Sequence, residues 1–182
     1  MAGSARRAGL FRRLRDDRRG VSAVEFAMLA PAMIAMYFGL AEFCQGFMAQ
    51  KRAGHSAAIV ADLITQRNSI TGAELDDLFN VGGQIMKPFS SATLRLRASS
   101  VTRGNDDVNR VDWSRGKGMT ARAAGSTVTL PAGLVERGQT VIFTETTYDY
   151  DSPVDYLMPA ITRFSHSFYM RPRQVETIPY TP

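Results

Sequence analysis

The sequence predicts an α+β protein in which a long N-terminal transmembrane helix and its amphipathic stem pack on a small antiparallel sheet. Three observations predict it. From Val21 to Ala41 the chain holds a single charge, Glu25. Beyond that run Ala49, Ala53, Ala57, Val60 and Ile64 recur at helical spacing. The C-terminal half then carries short alternating or β-branched stretches at 92–98, 140–150 and 163–170, separated by turn signals. Four regions follow: a basic leader at 1–20, a transmembrane helix at 21–44, a stem helix at 45–67 and an exported α+β domain at 70–182.

The leader sets the charge of the whole chain. Its Arg6, Arg7, Arg12, Arg13, Arg15, Arg18 and Arg19 outweigh Asp16 and Asp17, and this accounts for the entire formal charge of +5. Across residues 20–182 acids and bases cancel, so charge counting offers no basic patch on the folded part and excludes nucleic acid as a partner. Arginines in the leader can lie on anionic lipid, each contributing about 1 kcal/mol near the surface. They also orient the chain. Arg12, Arg13, Arg15, Arg18 and Arg19 crowd the start of the apolar run, whereas only Lys51 and Arg52 follow its end. The positive-inside rule places the N-terminus in the cytoplasm and the C-terminal domain across the membrane.

As a helix, Val21–Ala41 spans about 31 Å, close to the hydrocarbon thickness of a bilayer. Pro31 lies within it, where neighbouring groups in a membrane can repair the freed carbonyl. Gly39 and six alanines leave room for close helix contact. The stem that follows has Gln50, Lys51, His55, Asp62 and Gln66 opposite its apolar stripe, which faces its own domain or a partner helix. Gly54 weakens the helical propensity mid-stem. The lone Cys44 excludes an intramolecular disulfide, and a domain of this size can be stable without one.

Three readings of the N-terminus compete. A cleaved secretory signal fits the basic start. However, the apolar run is too long for it, carries Glu25, and has Ala30-Pro31-Ala32 in mid-run. An uncleaved signal anchor holding a periplasmic binding or sensing domain leaves Gly20 incidental. A leader cut after Gly20 accounts for the order of glycine, apolar run and acid. Strongly polar residues at the centre of a membrane helix cost about 2.5–3.5 kcal/mol, so Glu25 reads as functional. After such a cut, the new amine of Val21 and the carboxylate of Glu25 stand four apart on one helix face. An acid in the first turn also suits the helix dipole.

Arg18-Arg19-Gly20-Val21-Ser22-Ala23-Val24-Glu25-Phe26 resembles the processing site of type IV prepilins. With Ala30-Pro31 and Gly39-Leu40-Ala41-Glu42-Phe43, the segment resembles the N-terminus of TadE/TadG-like pseudopilins of the tight-adherence (Tad, Flp-type) pilus machinery. Tyr169-Met170-Arg171-Pro172-Arg173 resembles the closing strand of that family. The chain is too short for the von Willebrand factor A-like domain of the longer type, so it is similar to the shorter TadE type, with TadF a close relative. The resemblance implies a pilin-like fold, no enzymatic activity and no cofactor. It implies Gly20 and Val21 as the residues flanking the cut and Glu25 as the assembly glutamate. The partners it implies are a prepilin peptidase, the inner-membrane platform proteins, other pseudopilins and the Flp pilin. It also implies a single-pass protein of the bacterial inner membrane, N-terminus cytoplasmic and C-terminal domain periplasmic, with incorporation into the pilus a further option.

In the C-terminal domain, Thr71-Gly72-Ala73-Glu74 is a capping box that opens a helix with Leu75, Leu78, Phe79 and Val81 on one side. Gly82-Gly83 is expected to end or break it, and Pro88 to close the segment. Residues 92–98 alternate, with Leu94, Leu96 and Ala98 inward. Gly104-Asn105-Asp106-Asp107 is a turn, and Val108–Trp113 pairs back as a hairpin strand. Ser114–Gly125 reads as loop, Thr127–Leu130 as a short strand, Thr140–Tyr150 as the strongest strand. Arg163–Met170 follows with Phe164, His166, Phe168 and Met170 on one face.

The sequence offers no catalytic constellation. His55 and His166 are the only histidines, and no metalloprotease, phosphate-loop or nucleophile-elbow motif is present. Asn105, Asp107, Asn109 and Asp112 resemble the opening of a calcium loop, but Arg110 and Gly116 stand where it needs glycine and glutamate, so the turn reading is preferred. Asp149, Asp151 and Asp155 read as a solvated loop. Tyr148, Tyr150, Tyr156 and Tyr169 read as packing residues before a binding surface.

Overall fold

The computed structural model describes residues 19–152 and 162–182. The helix α1 runs Arg19–Thr65, β1 Ile70–Thr71, α2 Gly72–Ile85, β2 Leu94–Arg103, β3 Asn109–Lys117, β4 Thr140–Tyr150, β5 Thr162–Met170 and β6 Tyr180–Thr181. The fold is α+β, with a long apolar N-terminal helix and a small antiparallel sheet. The chain forms two compact units that divide between Phe43 and Cys44.

In the first unit α1 is helical through Pro31, and its large apolar side chains are exposed, among them Phe26, Met28, Met36 and Tyr37. This helix is long and apolar enough to cross a membrane.

The second unit is built on a four-stranded sheet of order β3-β2-β4-β5, antiparallel throughout. The α1 stripe Ala49, Ala53, Ala57, Val60 and Ile64 is fully buried, because small residues at i, i+4 let the helix lie close to the sheet. Ala57, Val60 and Ile64 share one core with Leu75, Leu78 and Phe79 of α2 and with Leu96, Ala98, Trp113 and Ile142 of the sheet. Ala49 and Ala53 pack with Met86, Tyr148 and Tyr150. The stripe therefore faces its own domain. The opposite face of the sheet holds a separate cluster of Val101, Val111, Val135, Val141 and Phe143.

The capping box at Thr71 forms in both directions: Glu74 N–H donates to the Thr71 hydroxyl at 3.2 Å and Thr71 N–H donates to the Glu74 carboxylate at 2.8 Å. Gly82-Gly83 does not break α2, which continues to Ile85. Gly82 is instead where α2 meets α1 with no space for a side chain. Val81 is exposed, since the helix turns its buried side through Leu75, Leu78, Phe79 and Gly82.

β2 follows the expected alternation through Ala98, and β4 occupies 140–150 as read. β3 extends through Ser114–Lys117, part of the stretch read as loop, because Arg97, Ala98 and Ser99 of β2 pair with Gly116, Arg115 and Ser114. Thr127–Leu130 forms no strand; Thr127 makes one bridge to Arg110. The segment 169–173, expected as a closing strand, leaves β5 at Met170. The tail then crosses to the stem, where Arg173 N–H donates to Thr65 O at 3.0 Å. It ends in β6, which pairs in parallel with β1, Ile70 opposite Tyr180. On the way Ile178 enters the core and accepts a hydrogen bond from Trp113 Nε1 at 2.8 Å.

Candidate processing and assembly site

Gly20, Val21 and Glu25 all lie in the opening turns of α1, and Val21 and Glu25 are both exposed. Their i, i+4 spacing puts them on one side of the helix. Glu25 is not in the first turn: the helix is already formed at Arg19, so the acid falls in the second turn of the uncut chain. The dipole argument therefore applies only to a helix that starts at Val21. Arg12, Arg13, Arg15 and Arg18 lie outside the described residues, as do Pro153, Asp155 and Tyr156. Arg19 is helical backbone.

Gly20 has no structural reason to be glycine. It sits in regular helix, without the positive φ that marks Gly118, Gly125, Gly133 and Gly138. A Cβ built on it meets nothing within 4 Å among the described residues. Glycine in a helix interior costs about 1 kcal/mol relative to alanine. Neither backbone nor packing compensates that cost here.

Elsewhere the polar groups are occupied by one another. Arg110 makes a two-pronged pair with Asp106 and holds its carboxyl down at about 2. Arg137 pairs with Asp107, whose carboxyl is likewise held at about 2, and Arg103 reaches the same aspartate at 2.9 Å. Asp107 adopts φ 63, as a tight turn requires. Asp112 is passed over by the β2–β3 pairing at a register shift and accepts from Ser100 at 2.8 Å and Thr102 at 2.7 Å. These oxygens serve the turn and the sheet. Asp149 pairs with Arg163 and Arg95. No group of three or more His, Cys, Asp or Glu is placed to hold a metal among the described residues.

Tyr148 and Tyr150 are buried, and Tyr169 stacks on Phe143 with ring centroids 4.8 Å apart. His55 and His166 line one groove of about 380 Å³ with Gln50, Lys51, Gly54, Ala58 and Phe168. The His166 Nε2 is buried there without a hydrogen-bond partner among the described residues. Sequence reasoning had no signal for that proximity, which depends on how β5 lies along the stem. It also missed the cluster on the outer sheet face where Glu145 takes both Arg97 and Arg122. Arg97 Nε donates at 2.7 Å and the Arg122 guanidinium lies 4.8 Å from the Phe143 ring centroid.

Residues 20–62 match the TadE-like protein family. The N-terminal segment of this chain is TadE-like. The match begins at Gly20 and takes in Val21, Glu25 and most of the α1 stem. The TadE-like segment thus covers the apolar helix and its buried stripe, while the sheet lies outside it. No curated protein and no solved structure gives a match.

Proposed function

We propose that this protein is a minor pseudopilin for assembly of a Tad/Flp-type pilus. In this reading a prepilin peptidase cuts it between Gly20 and Val21. The match of residues 20–62 to the TadE-like family supports a part in Tad pilus assembly. The observation that carries the finer reading is Gly20 itself: a helical glycine with open space around it among the described residues and no positive φ, placed directly before the apolar run. A peptidase that must approach the backbone at the scissile bond supplies the requirement that folding does not. Glu25 then stands four residues from the new amine of Val21, or meets the amine of a neighbouring subunit, and sets the register in which subunits stack. Arg12, Arg13, Arg15, Arg18 and Arg19 hold the leader in the cytoplasm, and the sheet domain lies across the membrane. Partners are the peptidase, the inner-membrane platform proteins and other pseudopilins.

The test is the N-terminal residue of the mature protein in native membranes, with and without the peptidase. A peptidase-dependent start at Val21 supports the reading. An intact N-terminus in both strains overturns it in favour of an uncut anchor, and a start near residue 33 means ordinary signal cleavage.

A further inference from the structure

Phe47, Met48, Lys51, Arg52 and His55 line a hollow of about 360 Å³ on the exposed side of α1. They form one face, since 47, 51 and 55 stand four apart, as do 48 and 52. Gly46, Ala49 and Ala53 on the other side of the same turns are buried. Phe47 and Met48 are 50% and 48% exposed. Two large apolar side chains held outward, side by side, call for a non-aqueous neighbour.

The groups next along the helix are cationic. Lys51 Nζ lies over the Phe47 ring, 5.3 Å from its centroid, so the charge sits directly beside the apolar pair. Arg52 Nη1 donates to the carbonyl of Ile85 at 3.2 Å, which fixes its guanidinium at the rim. Neither has a carboxylate within ion-pair distance among the described residues. Apolar side chains followed by uncompensated cations match the layering of a membrane surface, with acyl chains below and phosphates above.

Length points to the same occupant. Val21 to Met48 is about 42 Å of helix, against about 30 Å for the hydrocarbon core and about 40–45 Å with headgroups included. With Val21 at one face of the bilayer, Phe47 and Met48 reach the opposite headgroup layer.

We propose that this hollow binds the headgroup of an anionic phospholipid, with Phe47 and Met48 against the upper acyl chain and Lys51 and Arg52 on the phosphate oxygens. The proposal rests on the membrane reading of α1.

The test uses the full chain in phosphatidylcholine bilayers containing phosphatidylglycerol, with Phe47→Trp as a local reporter. The parent chain has one tryptophan, the buried Trp113, which supplies the baseline. Quenching by brominated phosphatidylglycerol should exceed that by the same fraction of brominated phosphatidylcholine. Adding Lys51→Gln and Arg52→Gln should reduce that preference by up to about thirtyfold, as expected for two basic residues at an anionic surface. Equal quenching by both lipids, or a preference that survives the double change, overturns the headgroup site while leaving the membrane helix standing. No quenching by either lipid means that a protein partner or water covers this face. That outcome overturns the proposal together with the placement of α1.

Discussion

The Ser56 hydroxyl on α1 donates to the carbonyl of Gly82 on α2 at 2.8 Å, and no side chain fits between the two helices there. A Cβ on Gly82 would stand 2.9 Å from Ser56 Oγ and from Val60 Cγ2, and 3.0 Å from Leu96 Cδ1. Gly82→Ala should therefore destabilise the domain by about 1–3 kcal/mol, the usual range for overpacking, despite the gain in helix propensity. Denaturant titration in detergent micelles measures this, and an unchanged midpoint would show that the helices can part without cost.

Gly54, in the stem of α1, should behave oppositely. A Cβ on Gly54 would meet the His166 ring at 3.4 Å, an ordinary contact. Gly54→Ala is expected to be neutral or to stabilise by up to about 1 kcal/mol. The same titration checks it. A loss as large as that of Gly82→Ala would mean that His166 cannot yield at all.

Glu145 should confer sensitivity to acid. Partial burial pushes its carboxyl up, but the hydrogen bonds and charges of Arg122 and Arg97 together outweigh that, and the carboxyl lies below the usual glutamate range. A carboxyl whose folded pKa is depressed stabilises the fold above its unfolded pKa and loses that stabilisation as pH falls through the folded one. Glu145→Gln should cost about 1–3 kcal/mol at neutral pH, because two part-buried guanidinium groups lose their counter-charge. The deficit should narrow as the parent is titrated below the ordinary glutamate range. A deficit that stays constant with pH would assign the effect to packing.

Under the proposed function, Glu25→Ala should abolish pilus assembly while leaving membrane insertion normal, because Glu25 is exposed. Fractionation and pilus shear assays separate the two effects. Normal piliation with the variant as the sole copy would remove the central residue of the assembly mechanism.

Where a segment's structure was set by its own periodicity, the sequence made it legible. The α1 stripe and the alternation of β2 could be read directly, because burial on one face needs only side-chain spacing. The β4 strand was readable from its β-branched and aromatic content. The Thr71–Glu74 cap was equally local. The misreadings arose where a distant partner decides. Gly82-Gly83 looks like a helix end until Ser56 and Val60 are seen against it. Ser114–Lys117 looks like loop until β2 supplies its hydrogen bonds. Tyr180–Thr181 is too short to announce a strand and becomes one only because Ile70–Thr71 lies beside it. At the candidate site the motif and the helix from Val21 were legible, whereas the helical backbone of Arg19 and Gly20, read as leader, was not.

The pairing of Ile70 with Tyr180 joins residues 110 positions apart in the chain. As a ribosome delivers the protein from its N-terminus, α1, α2 and all four strands of the main sheet emerge with an unclosed seam. Until Ile178 and β6 arrive, Trp113 lacks its carbonyl acceptor and the core around Leu75 and Phe79 lies open on one side. Completion of the domain therefore waits for Ile178 and β6, and loops of such length close slowly. A chain stopped short of residue 178 would carry every strand of its main sheet and still be a poorly sealed, protease-sensitive product.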